Sequence, residues 1–119
     1  MARILMALAA AGCLLGASMA KADPVEGKIV HRDRVEARSV DTYTVWLRGG
    51  ETTRIRLSGD GDTELNLCVY DESGRLVASD TLGSGDDRMV FVTPAWTGPF
   101  KIKTVNRGCV YNRYILILD

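Results

Sequence analysis

Asp60, Asp62 and Glu64 alternate through Gly59-Asp60-Gly61-Asp62-Thr63-Glu64, the stretch of this chain where side-chain oxygens lie closest together. Calcium takes six to eight oxygen ligands, and Asp-x-Asp-x-Glu matches the first half of an EF-hand loop. The match ends at the sixth position, where Leu65 stands in place of the glycine that the loop requires. Alternation from Glu64 onward also draws an extended strand where the loop would curve. The stretch therefore reads as an Asp/Gly turn leading into a strand, with calcium the one cofactor it would take if the three carboxylates converged.

Catalytic constellations are harder to assemble. His31 is the single histidine, and nothing in the sequence ties it to a nucleophile and an orienting carboxylate. Gly83-Ser84-Gly85 lacks the spacing of a nucleophile elbow. One histidine and two mature cysteines are too few for a zinc site. These residues predict a protein that is not an enzyme, with His31 at the surface. Cys68 and Cys109 either close a disulfide across about forty residues, stabilising by roughly 3–4 kcal/mol, or remain two buried thiols.

Binding chemistry has better material. Trp46 and Tyr70 each fall on the side of a strand opposite its aliphatic stripe, where aromatic rings can stack on sugars or hold apolar peptide side chains. Arg54 and Arg56 are placed to grip carboxylates bidentately. The competing reading has the aromatics packing over a sheet edge and the arginines forming a solvated face. Trp96, between Pro94 and Pro99, is expected to fold over one end of the core.

These side chains must be positioned by strands. Tyr43, Val45 and Leu47 alternate with polar neighbours before Gly49-Gly50, and Ile55 and Leu57 alternate with Arg54 and Arg56. Leu65, Leu67 and Val69 begin a hairpin that reverses through Asp71-Glu72-Ser73-Gly74 and returns from Arg75 to Ser79. Further strands are expected at Met89–Thr93, across Phe100–Thr104, and in the apolar run Val110–Leu118. Toward the N-terminus, Lys28–His31 and Val35–Val40 read as two weakly patterned extended pieces. No mature segment has a helical period, and seven or eight short strands separated by Gly, Asp, Asn and Pro predict a single antiparallel β-sandwich, with a barrel as the other candidate.

Residues 1–22 have a separate logic. Arg3, the apolar stretch Ile4–Met19 and the small residues of Ala20-Lys21-Ala22 read as a signal peptide cut after Ala22 or Ala20, leaving a domain over residues 23–119. Ala10-Ala11-Gly12-Cys13 is similar to a lipobox, which offers acylation at Cys13 as the alternative address. Removal of residues 1–22 takes Arg3 and Lys21 from the 15 basic residues and none of the 15 acidic ones, for a formal charge of −2. That balance argues against a nucleic-acid binder, and no remaining stretch is long and apolar enough to span a bilayer as a helix. The expected location is periplasmic or secreted.

Asp41-x-Tyr43, Gly50-Glu51, the stretch Gly59–Asp80, Trp96-Thr97-Gly98-Pro99-Phe100 and Asn106-Arg107-Gly108 before Tyr114 and Leu116 together resemble the bacterial pre-peptidase C-terminal domain. The resemblance spans roughly Val25 to Asp119 and implies a jelly-roll-like sandwich of the kind appended to secreted enzymes. In the collagenase branch, such domains bind substrate polymer and can bind calcium. The chain departs from the commoner Asp-Leu-Asp-Leu pattern with Glu64-Leu65-Asn66-Leu67, which replaces a carboxylate with an amide. The expected function is an exported, stand-alone, non-catalytic module that binds a protein or polysaccharide polymer or a secreted partner. The alternative is an envelope protein that assists folding or structure by pairing edge strands.

Overall fold

A computed structural model describes residues 27–119; the expected signal peptide, its cleavage sites and Cys13 lie outside the described residues. Eight strands follow one another as β1 (Ile29–Val35), β2 (Val40–Leu47), β3 (Thr53–Ser58), β4 (Leu65–Tyr70), β5 (Leu76–Asp80), β6 (Asp87–Val92), β7 (Gly98–Asn106) and β8 (Asn112–Leu118). They form two four-stranded antiparallel sheets, ordered β1-β8-β3-β6 and β2-β7-β4-β5. Two Greek keys wound in this order make a jelly-roll sandwich, so the antiparallel sandwich was correctly expected and the barrel was not.

Among the described residues, only β4 and β5 are successive strands within one sheet; every other connection there crosses between sheets. The hairpin legible in the sequence is thus the one local pairing in the fold. Its turn is made by Asp71, whose Oδ1 accepts from the Ser73 and Arg75 amides at 3.0 and 2.9 Å and from the Ser73 hydroxyl at 2.7 Å. Gly74 adopts a φ of 88°, which a residue with a Cβ rarely takes. The hydrogen bond from Ser73, followed by that from the Arg75 amide, holds the Asp71 carboxyl below its ordinary value.

The core is the set of inward positions that the two-residue period selects: Val35, Val45 and Leu47, Ile55 and Leu57, Leu65, Leu67 and Val69, Val90 and Val92, Phe100 and Ile102, and Tyr114, Leu116 and Leu118. Each fully buried aliphatic side chain contributes about 1.5–3 kcal/mol of hydrophobic stabilisation. The N-terminal region corrects the sequence reading. Lys28–His31 and Val35–Val40 are not two pieces, because β1 runs unbroken to Val35, anchored along β8 from Ile29↔Leu118 to Val35↔Asn112. The chain then turns through Arg38, at a φ of 55°, and enters β2 at Val40.

Candidate functional site

The sandwich has two outward faces, and the sequence-predicted binding residues divide between them. Trp46 lies opposite Pro99, and Tyr70 opposite Lys101, on the outer side of β2-β7-β4-β5. Both aromatics are half-buried. The Lys103 ammonium sits 4.9 Å from the centre of the Tyr70 ring, a cation–π arrangement that fixes the ring against the sheet. Arg54 and Arg56 occupy the outer side of the opposite sheet, facing away from Trp46 and Tyr70. The four side chains therefore do not form one site. Arg54 donates to both carboxylate oxygens of Asp119, at 2.9 and 2.7 Å, and this contact lowers the Asp119 pKa. Arg56 lies between Met89 and Ile117, with its Nε buried and without a hydrogen-bond partner among the described residues.

The acidic loop at the end of β3 is bound into the fold. Asp60 accepts the Asp62 amide on Oδ1 at 2.9 Å and the Arg113 amide on Oδ2 at 2.8 Å. Those backbone bonds, Arg113 first, hold its pKa below the ordinary value. Asn112 reaches across the loop, accepting from the Asp60 amide and donating to Thr63 and to the buried Asp86 carboxylate. Asp86 Oδ2 also accepts the Gly61 amide at 2.6 Å. A Cβ at Gly59 would collide with Asp86 and Asn112, so only glycine fits there. Among the described residues, no group of three or more His, Cys, Asp or Glu side chains is placed to hold a metal; Asp60, Asp62 and Glu64 do not converge into one.

Cys68 and Cys109 are free thiols, so the disulfide alternative is not realised here. The register explains why. Cys68 lies opposite Lys103 in mid-strand, about 10 Å along β4 from Leu65, whereas Cys109 lies beyond Asn106, the residue opposite Leu65. Nor are both thiols buried: Cys68 is half-buried, with burial raising its thiol pKa, and Cys109 is exposed beside the Arg38 guanidinium. Trp96 is 55% exposed, so it does not cover the core end as expected. Its backbone instead packs against Gly49, where a Cβ would come within 2.7 Å.

Several structural residues went unnoticed in the sequence, although strand phase could have revealed them. Arg88 shares the inward phase of Val90 and Val92. Its buried guanidinium donates to the carbonyls of Leu65, Leu82, Gly83 and Gly85, with Asp80 3.5 Å away. Asn106 shares the phase of Phe100 and Ile102 and donates to the Val35, Glu36 and Val110 carbonyls. Tyr114 donates to Asp41 at 2.6 Å and accepts from Tyr43 at 2.6 Å, and burial followed by the Asp41 bond raises its pKa. His31 stacks on Tyr43 with ring centres 4.5 Å apart, half-buried at this sandwich edge and not at the open surface expected of it.

No protein-family model matches the chain, and no curated protein matches it. Among solved structures, the chain is similar to the pre-peptidase C-terminal domain of a collagenase from Bacillus anthracis, at 12% sequence identity and a TM-score of 0.62. The alignment covers 87% of this chain and 100% of that one, so the two share a fold, as the residue resemblance implied.

Proposed function

We propose that this chain is an exported, non-catalytic β-sandwich module that binds a protein or polysaccharide polymer, or a secreted partner, through the outer face of β2-β7-β4-β5. The observation supporting this reading is the placement of Trp46 and Tyr70 on one sheet face, flanked by Lys101 and Lys103 and by the Thr42 and Thr44 hydroxyls. Aromatic rings fixed on a strand framework lose little conformational entropy on binding, and neighbouring hydroxyl and ammonium groups supply the polar contacts that orient a ligand. The fold shared with a collagenase domain is compatible with an accessory role.

Co-sedimentation with insoluble polysaccharides and fibrous proteins tests the reading. One polymer should carry the protein into the pellet, and the double substitution Trp46→Ala, Tyr70→Ala should release it. Equal sedimentation of the two forms would remove the aromatic face from the mechanism.

A further inference from the structure

The opposite sheet carries a cationic cleft that the proposed function does not use. An open depression of about 660 Å³ is lined by Arg32, Asp33, Arg34, Ser58, Asp60 and Arg113, among others, three arginines against two aspartates. Its floor is β8 and its walls are β1 and the end of β3. Arg34 and Arg113 stand directly opposite in the β1–β8 register, a like-charge pair that Glu36 offsets only at Arg34. Both guanidinium groups lie over the Tyr111 ring, at 4.6 and 5.4 Å from its centre, which holds the two forks in place. Arg32, two residues before Arg34 and on the same face, makes no hydrogen bond or ion pair with a described residue.

The nearby acids leave this charge available. Glu36 engages Arg34 through Nε, at 2.9 Å, and the terminal nitrogens bond no described residue. Asp33 accepts the Arg34 amide, and Asp60 accepts the Arg113 and Asp62 amides. Arg113 also contributes, after those backbone bonds, to lowering the Asp60 pKa, but its guanidinium forms no hydrogen bond with a described residue. Planar guanidinium forks match oxyanions bidentately.

We propose that this cleft is an oxyanion site, taking a phosphate or carboxylate group of a larger anionic molecule on Arg32, Arg34 and Arg113. The site lies on the face opposite Trp46 and Tyr70, so it stands or falls independently of the polymer-binding face.

The test follows the arginine Nε–H signals of ¹⁵N-labelled protein during titration with inorganic phosphate and, separately, acetate at low salt. Saturable shifts at Arg32 and Arg113 support the site, and the tighter of the two anions names the group it takes. Arg54, engaged by Asp119, serves as the internal control and should not move. Arg113→Gln should weaken binding about tenfold while leaving the melting temperature unchanged, because its side chain is exposed. Trp46→Ala should leave the titration intact. Shifts that rise linearly with either anion and never saturate, or that are as large at Arg54 as at Arg32, would overturn the proposal.

Discussion

The acidic loop end and the outer face of β1-β8-β3-β6 are both rich in charged residues, and they dispose of their charge in opposite ways. At the loop end, Asp60 and Asp86 accept backbone amides, Asn112 bridges them, and Arg88 closes on four carbonyls. On the outer face, Arg32 has no partner among the described residues, and Arg34 and Arg113 oppose one another. Buried polar groups must be satisfied internally because water cannot reach them, whereas exposed ones can keep their bonding capacity for a ligand. Asp86 and Arg88 follow that rule, whereas Asp60 is exposed and is held instead by the Asp62 and Arg113 amides.

Arg88→Met should have the largest effect of any substitution at the loop end. The substitution keeps most of the side-chain volume and removes every donor, leaving Asp80 and the Leu65, Leu82, Gly83 and Gly85 carbonyls without their arginine. Loss of one partner from a buried charged network costs about 3–5 kcal/mol. Arg32→Met, at an exposed position, should change stability by less than about 0.5 kcal/mol. Chemical denaturation of both variants checks the contrast. Similar midpoints would mean that Arg88 does not hold the loop end, and the distinction between the two regions would fail.

Sequence reading reached the strands more readily than the loop end for a physical reason. Alternation reports which side of a strand is apolar, and it revealed Val45 and Leu47, the β4–β5 hairpin and the opposite phase of Trp46 and Tyr70. Arg88, Asn106 and Asn112 share the inward phase of their strands in the structure but were not picked out by that alternation, because an inward polar residue makes sense only once its partners are known. Those partners are distant in the chain: Asn112 meets Asp86 and Thr63, and Asn106 meets Val35. The separation of Arg54 and Arg56 from Trp46 and Tyr70 was likewise out of reach, because local patterning does not say which sheet receives a strand. The Asp/Gly turn read at Asp60–Glu64 has a partner the sequence could not show: the Asp60 carboxylate accepts the distant Arg113 amide as well as that of Asp62.

A smaller effect is expected from acid. The Asp60 pKa is lower folded than unfolded, so its contribution is complete above the ordinary value of 3.8 and is lost as pH falls through the lower folded value. Asp71 and Asp119 are lowered too and steepen the wild-type profile in the same window. Asp60→Asn should therefore be less stable than wild type at neutral pH, with the gap narrowing below 3.8. A gap that stayed constant down to pH 2 would show that the Asp60 charge is not what binds the loop to Arg113 and Asp62.

The smallest effect expected is none, and it bears directly on where the line between the two regions falls. Calcium at Asp60, Asp62 and Glu64 would have to compete with the Asp62 and Arg113 amides for both oxygens of Asp60, and Gly59 is already pressed against Asp86 and Asn112. A ligand that binds only the folded state raises its stability, so thermal melts in excess calcium and in chelator should agree to within about 1 °C. A rise of several degrees with calcium, abolished by Asp60→Asn, would mean that the loop exchanges its backbone bonds for a metal. The loop end would then belong with the arginine face among the surfaces held open for a ligand.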